Sequence, residues 1–370
     1  MRHSRQTRST RRGPAGLAAA AIALLLLTGC VGADASGADG GAPTPPLSEV
    51  TPLADPGSWV GSSTARIAAE DISPITDGPQ TLPASVVDMQ GTAVTVTDTS
   101  RILALDLYGS LSHVVFDLGF GDSVIGRDVS SGFAEIADRP LVTQNGHDLN
   151  AEAILALDPT LIITDTSLGP WDTILQMRDA GVPVVVVDSH RSIDTIGTLV
   201  SEVAGALGVP ARGEALGARI ASSVDAELAA IAAVAPADPA DRLRMVFLYV
   251  RGQAGVYYMF GKDSGADSLV TALGGIDVSS EIGWTGMRPI TDEGIVSAAP
   301  DLILMMSGGL ESVGGVDGLL EQIPALQQTP AGENRRVVDM ADTQILSFGP
   351  ATSQILDALS VAIYAPEDAQ

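Results

Sequence analysis

Two short segments carry residue types at spacings from which a binding chemistry could be built. The first is Val142-Thr-Gln-Asn-Gly-His147-Asp-Leu-Asn150, where a histidine follows an Asn-Gly turn and sits at a loop edge. Such a histidine either bonds to its own backbone or offers a neutral imidazole nitrogen to a ligand. The second is Met245-Val-Phe-Leu-Tyr249-Val-Arg251-Gly252, an apolar strand that breaks at glycine. Residues i and i+2 of a strand share a face, so Tyr249 and Arg251 project together from its end. A phenol with a pKa of about 10 is neutral, but a guanidinium beside its oxygen favours the phenolate, the form that binds ferric iron. A core tyrosine is the plainer reading. The arginine on the same face counts against it, because arginine is rarely buried unpaired.

Other chemistries find no foothold. Gly119-Phe-Gly121 lacks the third glycine of a dinucleotide fingerprint, and Gly261-Lys262-Asp263-Ser264 lacks the upstream glycine of a phosphate loop. There is no Gly-x-Ser-x-Gly elbow and no histidine pair at helical spacing. The expectation is a binding protein and not an enzyme. A formal charge of −25 over 370 residues argues against nucleic acid, whose phosphates require a basic face. The single cysteine excludes an internal disulfide and a cysteine-built metal cluster.

The elements that must position these residues are legible in an internal repeat. Leu149-Asn-Ala-Glu-Ala-Ile-Leu-Ala-Leu-Asp-Pro-Thr-Leu-Ile-Ile163 matches Ile290-Thr-Asp-Glu-Gly-Ile-Val-Ser-Ala-Ala-Pro-Asp-Leu-Ile-Leu304 at an offset of 141. In each copy a polar cap (Asn150, Thr291) opens a short helix with an acid in its first turn, a proline ends it, and an apolar strand follows. Continuous apolar strands alternating with helices indicate parallel sheet covered on both faces, and two copies indicate two related α/β lobes. Strands are expected at Ile102–Asp106, Ser123–Gly126, Leu161–Thr164 and Pro183–Asp188 in the first lobe. In the second they are expected at Arg244–Val250, Leu302–Met306 and Arg335–Met340. Between the lobes, from Ile193 to about Val234, runs an Ala/Leu/Ile/Glu stretch of helical period divided near Pro210. A helical connector limits hinge bending, and the groove between such lobes is the natural ligand site.

The N-terminus reads as a leader. Five arginines without an acid precede the apolar run Ala15–Leu27, too short to span a membrane, which ends Leu27-Thr28-Gly29-Cys30 in the pattern of a bacterial lipobox. Cys30 is thus the expected lipidation site. The Gly/Ala/Pro/Ser/Asp-rich stretch that follows reads as a flexible tether, holding the body within roughly 40 Å of the membrane. The expected organisation is 1–29 signal peptide, 30–81 lipidated cysteine and tether, 82–192 N-terminal lobe, 193–240 helical linker and 241–370 C-terminal lobe.

From about residue 90 to 365 the chain resembles the haem-binding lipoproteins of bacterial ABC importers, within the helical-linker (class III) periplasmic-binding-protein superfamily that also serves siderophores and cobalamin. The matching pieces are Asp148-Leu-Asn-Ala-Glu-Ala-Ile-Leu-Ala-Leu-Asp-Pro, Tyr249-Val-Arg-Gly, Gly255-Val-Tyr-Tyr, Met306-Ser-Gly-Gly-Leu-Glu-Ser-Val-Gly-Gly, Thr329-Pro-Ala-Gly and Ile345-Leu-Ser-Phe-Gly-Pro. Asn-Gly-His147 together with Tyr249-Val-Arg251 is similar to the actinobacterial, corynebacterial-type haem-uptake proteins. The resemblance implies two Rossmann-like lobes on a long helical linker and ferric haem as cargo. It implies His147 and Tyr249 as axial ligands, with Arg251 bonded to the tyrosine. Neutral imidazole and phenolate suit ferric iron. It further implies an extracytoplasmic, lipid-anchored monomer that serves a permease and its ATPase, with cell-surface haem-relay proteins as possible donors. Met287, Arg288, Arg127 and Tyr258 are candidate haem contacts; Tyr257 is expected to line the groove, and Trp171 and Trp284 to stack on porphyrin or fill the core. Importers of this class dock through a carboxylate on each lobe. Asp267 is the candidate in the second lobe, whereas His113 stands at the corresponding place in the first. The alternative on the same fold is a ferric-siderophore or cobalamin receptor.

Overall fold

The computed structural model describes residues 41–369; the leader, Cys30 and the first part of the expected tether lie outside them. The stretch after them is no tether. Strand β1 (Ser63–Ala65) lies parallel on the strand Val337–Met340 of the C-terminal sheet. The segment around β1 is fixed by single anchors: Leu47 N donates to Asp357 Oδ1 at 2.9 Å, Leu53 N to Tyr364 O at 2.7 Å and Ser63 Oγ to Ala362 O at 2.6 Å. Three-residue strands and isolated backbone anchors leave no periodic apolar pattern, which is why composition alone reads this segment as a linker.

The N-terminal lobe begins with a hairpin, β2 (Ala84–Val87) and β3 (Ala93–Val96). It continues through β4 (Ile102–Leu105), α1 (Ser110–Val115), β5 (Thr143–Gln144), β6 (Asp148–Leu149), α2 (Ala151–Ala156), β7 (Leu161–Thr164), α3 (Trp171–Asp179) and β8 (Val184–Val186). Strands β4, β7 and β8 form a parallel sheet in that order, and the strand expected at Ser123–Gly126 contributes only an isolated bridge from Val124 to Ile102. The linker is two helices, α4 (Ile196–Ala206) and α5 (Pro210–Val234), separated at Gly208, which has φ +71°. A Cβ there would stand 2.3 Å from Thr81 O, so only glycine fits.

The C-terminal lobe runs β9 (Arg244–Arg251), β10 (Val256–Phe260), α6 (Ala266–Ala272), β11 (Ile276–Asp277), α7 (Val278–Glu281), β12 (Met287–Pro289) and α8 (Asp292–Ala298). It continues β13 (Leu302–Met306), α9 (Ser307–Ser312), α10 (Gly315–Gln322), α11 (Pro330–Glu333), β14 (Val337–Met340) and α12 (Thr352–Tyr364). The sheet order is β1-β14-β13-β9-β10-β12, with β11 also on β9; the β9–β10 and β10–β12 pairs are antiparallel and the rest parallel. The repeat folds as read. The Asn150 side chain accepts from Ala153 N and that of Thr291 from Gly294 N, each at 3.1 Å, and β7 and β13 follow the two capped helices.

Strand alternation distributes the core into three layers. Ile102 and Ala104, Leu161 and Ile163, Met245 and Phe247, Leu302 and Leu304, and Val338 and Met340 all join one apolar cluster that includes α4, α5 and α12. The intervening residues point away, Leu103, Leu105 and Ile162 into a second cluster and Val246, Leu248, Val250, Ile303 and Met305 into a third. Both sheets thus turn one face toward a shared core built on the linker helices.

Candidate functional site

The shared face does not stop where the core stops. Continuing β9 in steps of two from Met245 and Phe247 gives Tyr249 and Arg251, both only partly buried while their neighbours Leu248 and Val250 are closed off. The same step carries β13 from Leu304 to Met306 and the β14 chain from Met340 to Asp342. These residues lie at the carboxyl ends of parallel strands, the edge where open α/β sheets bind ligands. Tyr258 lies directly opposite Tyr249 in the β9–β10 register, and the Phe260 ring stacks 6.1 Å from that of Tyr249.

Arg251 meets Tyr249 through the ring face: its Cζ lies 4.5 Å from the ring centroid. Its Nη1 donates to Val250 O at 2.9 Å and its Nη2 to Asp342 Oδ2 at 2.6 Å, with Met306 Sδ at 3.6 Å. The spacing rule therefore holds, but the guanidinium packs on the ring, where the resemblance implied a bond to the phenol oxygen. Asp342 was missed by the sequence reading; the signal was available in the alternation Val338, Met340, Asp342.

His147 ends the three-residue turn between β5 and β6, whose register pairs Gln144 with Asp148. Asn145 (φ +51°) and Gly146 (φ +92°) are left-handed, which suits asparagine and glycine and turns the histidine inward. Its Nδ1 is buried and has no hydrogen-bond partner, so the backbone-bonded loop histidine is not what this nitrogen is. Burial lowers its pKa below the usual value, Arg251 lowers it further, and Asp148 and Asp342 pull the other way. An N-terminal-lobe imidazole thus lies within electrostatic reach of the C-terminal-lobe Arg251–Asp342 pair, and it is held neutral.

The remaining candidates separate. Met287 and Arg288 lie exposed on β12, and Met287 pairs with Phe260 in register. Arg127 turns into its own loop, its Nη1 donating to Asp128 O and Ser131 O. Tyr257 is on the other face of β10 from Tyr258, against the C-terminal core, and donates to Gln322 Oε1 at 3.3 Å. Trp284 packs on that same core and donates to Met259 O, while Trp171 packs in the N-terminal lobe beneath Arg178. Both tryptophans are partly buried and pack against a core. His113 is 1% exposed, with Nδ1 3.1 Å from Glu70 Oε2 and its ring 5.2 Å from Phe133, so it is a packing residue and no docking contact. Asp267 accepts from the N–H groups of Asp263 and Gly265 at the head of α6. It lines a separate cavity of about 1080 Å³ beside Lys262, Asp277 and Leu228.

A second group was not anticipated. Asp106 and Asp165 follow β4 and β7 on the shared face; both are fully buried and both bond to Arg191 Nη2, at 3.2 and 2.7 Å. Asp128, also fully buried, accepts from Asp106 N and Ser131 N. Two carboxylates share one guanidinium, and the third is held by backbone N–H groups. Burial and then the neighbouring Asp106 push Asp128 up to about 7 and Asp165 to about 6.

Two α/β lobes on a helical linker, with an imidazole of one within electrostatic reach of the Arg251–Asp342 pair of the other, define a two-lobed ligand-binding protein. Residues 107–343 match the periplasmic binding protein family, and the chain belongs to it. Among solved structures it is similar to the heme binding protein HmuT, at 42% identity and a TM-score of 0.79, covering 84% of this chain and 99% of that one. It is also similar to the periplasmic heme-binding protein RhuT from Roseiflexus sp. RS-1, at 38% identity and a TM-score of 0.64, covering 74% of this chain and all of that one. Similar structures of HmuT include alanine variants at a histidine, a tyrosine and an arginine, the last two spaced as Tyr249 and Arg251 are. A further relative, an uncharacterized ABC transporter substrate-binding lipoprotein, YvrC of Bacillus subtilis (strain 168), is 23% identical over 288 residues, 77% of this chain and 87% of that one. No helix among the described residues is long and apolar enough to cross a membrane.

Proposed function

We propose that this protein captures ferric haem in the groove between its lobes, with His147 and Tyr249 as axial ligands, and passes it to an ABC permease and its ATPase without changing it chemically. One observation carries the reading. An imidazole with a buried, unpartnered Nδ1 on one lobe lies within electrostatic reach of the arginine that packs on Tyr249 on the other. Imidazole and phenolate are an apt pair for ferric iron, and one ligand from each lobe clasps the macrocycle between them. The HmuT relative, named for heme binding and studied at the same three residue types, supports the assignment. Met287, paired with Phe260, shares the Tyr249 face of the sheet, whereas Arg288 pairs with Met259 on the opposite face and Arg127 Nη1 is engaged by carbonyls, so neither arginine is assigned to the propionates. Anchoring falls to Cys30, outside the described residues, as in the lipoprotein relative.

The test is an absorption titration with ferric haem of the chain beginning at residue 31, beside Tyr249→Ala and His147→Ala. A saturable one-to-one Soret change that each substitution alters is the expected result. A wild-type spectrum indistinguishable from free haem overturns the reading and favours a siderophore or cobalamin, whose metals arrive with their own ligands.

A further inference from the structure

We infer that Asp342 is the residue that positions Arg251 on Tyr249, and that the Gly308-Gly309 pair is there to admit it. The inference deepens the haem reading and rests on it. Arg251 closes β9 just before Gly252, and a long side chain at a strand end has many rotamers open to it. Something off the strand must hold it. Asp342 does so with both oxygens engaged: Oδ2 accepts from Arg251 Nη2 at 2.6 Å and Oδ1 from Gly308 N at 2.8 Å. The carboxylate is thereby fixed to the backbone before it fixes the guanidinium, a charge-assisted arrangement with defined direction.

The glycines supply the space. A Cβ on Gly308 would lie 2.9 Å from Asp342 Oδ2 and 3.1 Å from Oδ1. A Cβ on Gly309 would lie 3.2 Å from Arg251 Nη1 and 2.9 Å from Val250 O. Neither glycine has a positive φ, so the requirement is room, and the run Met306-Ser-Gly-Gly has a physical purpose at this pair. Charge points the same way. Ferric iron in a porphyrin dianion carries one net positive charge, and phenolate, guanidinium and carboxylate together supply one net negative charge. Asp342 thus stabilises the ferric over the ferrous form.

Because both side chains are about a third exposed, the ion pair by itself is weak, and its effect lies in orientation. The experiment titrates ferric haem into the wild type, Asp342→Asn, Arg251→Ala and the double variant, with folding checked by circular dichroism. Asp342→Asn is expected to weaken binding about three- to tenfold, to alter the tyrosinate-to-iron charge-transfer absorption and to raise the midpoint potential of the bound haem. Since Asp342 orients the Tyr249 side chain through Arg251, the double variant should match Arg251→Ala alone in its charge-transfer absorption, while the direct effect of the carboxylate charge on the midpoint potential persists. Gly308→Ala, which displaces the carboxylate, should reproduce the Asp342→Asn spectrum. Wild-type binding with Asp342→Asn unchanged, or with its effect on the charge-transfer absorption adding in full to that of Arg251→Ala, overturns this role and leaves the haem reading standing. Failure of the wild type to bind haem overturns both.

Discussion

At the scale of residues the site is asymmetric. Tyr249, the proposed anionic ligand, is embedded in a cluster with Arg251, Asp342 and Phe260, whereas His147 stands on a turn with an unpartnered ring nitrogen. Removing the tyrosine also strips Arg251 of the ring it covers. Tyr249→Ala should therefore lose at least about tenfold more haem affinity than His147→Ala, measured by parallel titrations; the reverse order would make the histidine the principal ligand. A second prediction concerns pH. Burial and the nearby Arg251 depress the His147 pKa, so the imidazole remains neutral, and able to ligate, below the usual titration midpoint of about 6.5. The spectrum of the haem complex should hold from pH 8 to about 6 and change only in more acid solution. A change centred at 6.5 or above would mean that the histidine is not protected.

At the scale of elements, the segment from Leu47 to Ile75 completes the fold. β1 covers the edge of β14, Thr64 Oγ1 donates to Asp339 Oδ1, and Arg219 Nη1 on α5 donates to Ser73 O at 2.6 Å. Without it, β14 becomes an open edge strand and the α12 residues under it lose their cover, the condition that invites aggregation. A chain begun at residue 82 should melt on the order of 10 °C below one begun at residue 41, or fail to stay soluble, as read by scanning calorimetry. Equal melting would return the segment to the status of a tether. The helix pair α4–α5 also has a tight point: a Cβ on Gly213 would meet Ala204 Cβ at 2.4 Å, which holds the connector close.

Considered as a whole, the molecule has lobes joined by a common core across the linker helices, with a carboxylate group buried at its N-terminal-lobe edge. Burial and the neighbouring Asp106 push the Asp128 carboxyl up to about 7 in the folded protein, from 3.8 when free. Between those values the folded protein holds a proton that the unfolded chain has released, so this stabilisation is full below pH 4 and lost as pH rises through 7. Asp165, at about 6 folded, adds a loss in the same direction. Wild-type stability should decline between pH 5 and 8, and Asp128→Asn should flatten that decline, measured as urea midpoints across the range. Parallel slopes for the two proteins would show that Asp128 is already ionised at pH 5.

Local chemistry determined much of this protein directly. The capped helices at Asn150 and Thr291, the strands after Pro159 and Pro300, the break at Gly208-Val-Pro210 and the common face of Tyr249 and Arg251 all follow from patterns a few residues long. For the same reason the two-lobed class was legible in the sequence. What the sequence could not show depends on contacts between distant parts of the chain. Leu47 meets Asp357, Asp342 meets Arg251, and Arg191 joins Asp106 to Asp165. His113 is closed in by Glu70. None of these pairings has a local signature: even where strand alternation marks one member, as it does Asp342, the partners are brought together only when strands of matching parity are laid side by side. Which face of an apolar strand becomes core and which continues into a groove is decided by the neighbouring lobe, and so belongs to the tertiary structure.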